Sequence, residues 1–179
     1  MLDRKSNGLL AVVLAFLSHS ISTAQQKPVE AWWLTAQFSA TSADYDSVPV
    51  AAINPEWVKV SILDYTSLPP EAKDDLLWMR REGYTFRTDN QFRRKGASDR
   101  EVVGVYEDRK GRKGRFLLVL ERFNKSPWKV AFLHQDPGES GFSVLVRRQT
   151  GLYWSACMQC SESSRLRVSR DGFFLETAP

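Results

Sequence analysis

Cysteine and histidine are scarce in this 179-residue chain, at two of each, and its longest apolar run is the nine residues from Leu9 to Leu17. Each scarcity excludes something. A structural zinc site needs four ligands, or three plus water. Beyond residue 24 only Cys157, Cys160 and His134 could contribute soft or imidazole ligands, so no metal and no cofactor is expected. A bilayer-crossing helix needs about 20 apolar residues, and no stretch approaches that length. The nucleophile-elbow pattern G-x-S-x-G is missing, so a Ser-His-Asp hydrolase built on His134 has no local signature.

The N-terminus is where the apolar run carries meaning. Arg4 and Lys5 precede Leu9–Leu17, and Ser22 and Ala24 supply small side chains after it. This is the pattern of a secretory signal peptide over 1–24, with cleavage after Ala24. The run is too short to span a membrane, and no lipobox cysteine follows it. The expected product is a soluble exported protein, periplasmic or extracellular, beginning at Gln25 and forming a single domain over 25–179. Losing Asp3, Arg4 and Lys5 lowers the net charge from +4 to +3. A charge that small, with acids interspersed, gives no broad cationic field, and export argues against nucleic acid as a partner.

The stretch from Gly83 to Glu121 organises the rest of the chain. Glu101–Tyr106 and Arg115–Leu120 are rich in β-branched and aromatic residues and are bounded by Gly and charge, so they read as consecutive strands. Between them, Glu107–Gly114 carries Arg109, Lys110, Arg112 and Lys113 together with two glycines that can take positive φ, which predicts a β-hairpin with a basic tip. Before the first strand lies Gln91-Phe92-Arg93-Arg94-Lys95-Gly96-Ala97-Ser98-Asp99. Phe92, Gly96, Asp99 and the apolar strand behind them give it a spacing that resembles the loop of FG-GAP or VCBS-type repeats. In that family, carboxylates at the first, third, fifth and ninth loop positions hold calcium. Here those positions are Gln91, Arg93, Lys95 and Asp99, so the resemblance does not carry calcium over. It does imply an adhesion or binding role. Arg93, Arg94 and Lys95 join the hairpin cations as candidate surface contacts.

Residues 25–82 read as an arm and two helices, and 83–179 as an antiparallel meander. In the arm, Trp32 or Trp33 is expected to anchor an extended segment on the core, with an exposed sugar-binding pair as the sharper alternative. Asn54-Pro55-Glu56 has the signature of a helix start, predicting a short helix to about Leu63. Pro69-Pro70-Glu71, late arginines at Arg80 and Arg81 and a stop at Gly83 predict a second helix. Apolar runs then recur at Tyr84–Arg87, Val102–Tyr106, Phe116–Leu120, Trp128–His134, Phe142–Val146, Leu152–Met158, Leu166–Val168 and Phe173–Leu175. Turns are expected between them at Asn124–Pro127, Asp136–Gly138, Thr150–Gly151 and Arg170–Gly172. The expected fold is α+β, mainly β: one curved sheet or two small packed sheets, propeller-blade-like but with too few strands to close a propeller.

The cysteines of Cys157-Met158-Gln159-Cys160 are expected to be disulfide-bonded, because this is the default for a lone pair in an exported protein. In extended chain their Cα atoms would lie about 10 Å apart, beyond bridging distance, so the chain must turn at Met158-Gln159. A thioredoxin-like pair would sit at a helix N-terminus, whereas polar residues and another strand follow here. The functional expectation is a non-catalytic exported module that binds a protein, a glycan or an envelope polymer. The alternative is a periplasmic enzyme, either a thiol-disulfide oxidoreductase using Cys157 and Cys160 or a hydrolase using His134. Asp64, Asp74, Asp75, Glu101 and Glu121 are left for the fold to bring together or keep apart.

Overall fold

A computed structural model describes residues 31–92 and 95–177. The predicted signal peptide and the first residues of the arm lie outside the described residues, as do Arg93 and Arg94. In chain order the elements are α1 (Trp32–Thr35), β1 (Asp44–Tyr45), β2 (Val48–Pro49), α2 (Val50–Ile53) and β3 (Trp57–Ile62). A 3-10 turn (Pro70–Asp75), α3 (Leu76–Arg81), β4 (Tyr84–Thr85), β5 (Arg87–Asp89), β6 (Ala97–Asp108), β7 (Lys113–Phe123) and β8 (Lys129–Gly138) come next. The chain closes with β9 (Val144–Arg148), β10 (Gly151–Ser155), β11 (Ser164–Val168) and β12 (Phe173–Thr177).

The fold is mainly β: the described residues form two five-stranded antiparallel sheets and a two-stranded β1–β2 ribbon, with no closed barrel among them. The first sheet has the order β3-β6-β7-β8, with β5 also paired to β6; the second has the order β12-β11-β10-β9-β4. Consecutive strands pair because the turns between them are short. Gly111 (φ 75°) and Asn124 (φ 55°) adopt the left-handed backbone that the reversals after β6 and β7 need.

The first sheet is apolar on both faces. Val103, Val105, Leu117 and Val119 join Leu145, Leu152, Trp154 and Leu166 of the second sheet in one core. Val102, Tyr106, Phe116, Leu118 and Leu120 point the other way, into a second core closed by Val48, Val50, Ile53, Trp57 and Val60. Phe116 to Leu120 are all fully buried, which is why they read as an unbroken apolar run. Each such side chain contributes about 2 kcal/mol by leaving water.

Three sequence expectations need correction. The helix expected over 54–63 is instead strand β3, paired with β6 from Trp57 to Ile62. The Asn54 carboxamide oxygen accepts from the backbone N–H of Glu56 at 2.9 Å, so it makes a tight local turn. The chain then continues as strand, with a bulge between Trp57 and Lys59 that lets Trp57 and Val60 face the same core. The turn expected at Asp136-Pro137-Gly138 lies inside β8, whose register with β7 runs to Gly138. Proline is tolerated there because β8 is the sheet edge and no further strand needs its missing N–H. The arm begins with the single helical turn α1, and Trp32 is its anchor: it is buried, with its indole N–H donating to Asp75 at 2.7 Å. The second predicted helix is present as the 3-10 turn continued by α3, and Gly83 ends it at φ 80°.

Candidate functional site

A cleft of about 630 Å³ opens where β3 starts beside the β6–β7 hairpin. Its apolar floor is a stacked pair, Trp57 and Tyr106, with ring centroids 4.3 Å apart and planes 9° from parallel. The stack needs bare backbone beside it. A Cβ at Gly114 would come within 2.7 Å of the Tyr106 ring, and a Cβ at Gly104 within 2.8 Å of Phe116, which tilts against Trp57. Gly114 is therefore a strand residue that makes room for the ring, and Gly111 alone serves the turn.

The polar rim comes from both sides. Asn54 donates to the Gln135 carboxamide at 3.3 Å, bridging the β3 turn to β8. Asp108, almost wholly buried, accepts from the backbone N–H groups of Lys110 and Arg112 at 2.8 and 2.9 Å and from Arg112 Nε at 2.6 Å. Desolvation works against its charge, but these three hydrogen bonds win and hold the carboxyl below its ordinary range. Glu56, Lys113 and Pro137, with the bare backbone of Gly111 and Gly138, complete the wall.

The hairpin cations and Lys95 do not form one surface. Arg112 and Lys113 line the cleft, while Arg109 and Lys110 are exposed at the hairpin tip. Lys95, exposed, lies beyond the other end of β6. That strand runs from Ala97 to Asp108, so about 35 Å separates the two ends. In the 91–99 loop Gly96 takes φ 77° with open space around it, and Gln91 and Phe92 are half-buried. Asp99 points inward, fully buried, and accepts from the Phe92 N–H at 3.3 Å. Among the described residues no group of three or more His, Cys, Asp or Glu side chains is placed to hold a metal.

Cys157 and Cys160 form a disulfide across bends at 156–159, with their Cα atoms 5.8 Å apart, as the required turn predicted. The bond lines a smaller cavity of about 420 Å³ with half-buried Trp33, Arg115, Asp136 and Glu162. No helix begins after Cys157 among the described residues, so the usual means of activating a thiol is not supplied there. His134 sits edge-on to Trp154 at 4.9 Å, and burial pushes its pKa down against the opposing pull of Asp136. Asp75 serves Trp32, Asp64 closes a loop turn by accepting from Thr66 and Ser67, and Glu121 faces Asp99 across the β6–β7 pair.

Glu101 is the exception. It is fully buried, accepts from the Thr88 hydroxyl at 2.7 Å and leaves Oε1 without a hydrogen-bond partner. Burial raises its pKa from 4.5 to about 8; neighbouring Asp99 adds to the rise and the Thr88 bond opposes it. No family model, curated protein or solved structure matches the chain. The geometry therefore has to carry the functional argument by itself. Sequence reasoning found Arg112 and Lys113 but missed Trp57, Tyr106, Asp108 and Gln135. The alternation of Val58 to Ile62 signals the strand, but a bulge between Trp57 and Lys59 puts Trp57 out of that phase, so no local signal places it.

Proposed function

We propose that the protein is a non-catalytic binding module of the cell envelope that takes a neutral polar polymer, a glycan, in the cleft beside the β6–β7 hairpin. The observation that carries this reading is the composition of the cleft wall. A stacked aromatic pair forms the floor, and around it stand two carboxylates, two cations and two carboxamides, so the charge is balanced while donors and acceptors are many. Sugars present dense hydroxyls, which such a wall matches, and the edges of the buried Trp57–Tyr106 stack give their C–H groups a small apolar contact.

Catalysis is not favoured in the cleft. Asp108 has three donors on its two oxygens, which leaves it a poor general base. Glu56 is the only other acid in the lining, and no His, Ser or Cys stands beside it. The secretory pattern at the N-terminus and the resemblance of the 91–99 loop to binding repeats support the same reading. Titration with N-acetylated amino-sugar oligomers, followed by tryptophan fluorescence and calorimetry, tests it. Saturable binding that is lost in Arg112→Ala and Lys113→Ala is expected. Heat and fluorescence unchanged by any saccharide, or binding indifferent to both substitutions, would overturn it.

A further inference from the structure

The second sheet carries a different kind of surface. Its register places Gly151 opposite Arg148, Tyr153 opposite Arg165, and Arg167 opposite Phe174. Side chains alternate along strands, so Arg148, Arg165 and Arg167 share one face with Tyr153. It is the face opposite the one on which Trp154 meets His134 of the first sheet. Gly151 has no side chain, and the Arg165 guanidinium occupies the vacant place: a Cβ at Gly151 would lie 3.1 Å from Arg165 Nε.

Each guanidinium is held in place. Arg148 lies over the Tyr153 ring at 4.9 Å, and the Tyr153 hydroxyl is bonded to Thr150 at 2.8 Å. Arg165 donates to the Thr150 carbonyl. Neither Arg148 nor Arg165 has a carboxylate within ion-pair distance among the described residues, and Arg167 meets Glu176 only at 3.7 Å. The acids near this face are Glu176 itself, opposite Arg165 in register, Asp171 in the following turn, and Glu82, which is paired with Arg81. Arg170, exposed in the turn after β11, extends the positive charge at its edge.

We infer that this face, centred on Gly151, binds a linear polymer bearing phosphate groups. Side chains two apart on a strand are about 7 Å apart, and β9 lies two strand spacings, about 10 Å, from β11, so Arg165 and Arg167 stand side by side with Arg148 across the bare Gly151 position. A tetrahedral phosphate can accept from two planar forks at once, which a point charge on lysine would not reproduce. Guanidiniums spread over about 10 Å can each meet a different phosphate, which suits successive groups of an extended polymer better than a single free ion. The site is independent of the glycan cleft.

The test is binding of soluble polyphosphate by the full chain over a range of salt, with inorganic phosphate and phosphatidylglycerol vesicles as separate arms. Expected is saturable polyphosphate binding that weakens with salt, with inorganic phosphate and vesicles failing to compete. Arg148→Glu and Arg167→Glu, both partly or fully exposed and checked for unchanged melting, should each weaken binding about tenfold and lower the salt slope by about one. Lys125→Ala, on an exposed turn of the other sheet, should change neither by a comparable amount. Equal losses from Lys125→Ala would reduce the effect to net charge and overturn the site. Unaltered binding in both arginine variants, or vesicle binding without polyphosphate binding, would also overturn it.

Discussion

The two sheets bury themselves differently, and the difference governs where function can reside. The first is covered on both faces, and its central strand from Phe116 to Leu120 is without solvent contact. The second gives one face to the shared core, and its other face is covered at Val144, Val146 and Ser155 but open toward β11 and β12, where Phe174 is 42% exposed among arginines. A sheet buried on both sides can present only its ends, which is where the Trp57–Tyr106 cleft lies. A sheet whose second face is only partly covered keeps the open part for polar contact. The sharpest test of this contrast is a pair of truncations. Leu118→Ala should destabilise the protein by about 3–4 kcal/mol, since it opens a cavity that two packed layers cannot close, whereas Phe174→Ala should cost under about 0.5 kcal/mol. Chemical denaturation measures both, and comparable losses would break the contrast.

Burial of the first sheet also has an electrostatic consequence. The Glu101 side chain titrates from 4.5 in an ordinary setting to about 8 in the fold, chiefly through burial, with Asp99 beside it and Thr88 as its donor. The folded state therefore holds one more proton than the unfolded chain between those values, and stability falls as pH rises through that window, levelling above about 8. From pH 5 to 7 the loss from this group is about 3 kcal/mol at one pKa unit per 1.36 kcal/mol. Glu101→Gln should flatten that part of the profile and melt higher than the parent at pH 8. A parent profile without the decline, or an unchanged one in the variant, would refute the assignment.

How much of this was legible in the sequence depends on whether the signal was local. The β6–β7 hairpin and the four-strand run from β9 to β12 announce themselves by β-branched residues between turn residues. Strand β3 does not, because Asn54-Pro55-Glu56 offers the same groups to a turn as to a helix cap, and pairing with β6 decides between them. Pro137 looked like a turn because edge position is a property of the whole sheet. In the cleft, Arg112 and Lys113 were found from their charge, while Trp57 and Tyr106 come together only through the β3–β6 register. Glu101 gave no sign at all, since its burial depends on Thr88 from a neighbouring strand.

The second sheet is stapled near the end of β10 by Cys157–Cys160. The loop the bond closes is short, so the chain-entropy model gives it about 2 kcal/mol. Cys157→Ser with Cys160→Ser should lower stability by that amount in denaturant titrations and leave cleft binding intact. A loss of ligand binding would mean that the two sheets are less separable than their cores suggest.

The smallest effect is expected at the start of β6, where the loop resembles a calcium-binding repeat. A calcium ion takes six to eight oxygens, most of them carboxylate or carbonyl. Lys95 stands at one of the four ligand positions and Arg93 at another, while Gln91 offers only a neutral carboxamide. Asp99, the remaining carboxylate, is fully buried and already engaged by the Phe92 N–H. Turning it outward would uncover the end of the shared core, where Phe92 packs edge-on against Phe173 at 5.4 Å. Two cations would also repel the incoming dication. Melting temperature should therefore be the same in millimolar calcium and in chelator. A rise with calcium would show that this end of the first sheet is open enough to rearrange, against the reading that only its other end presents a site.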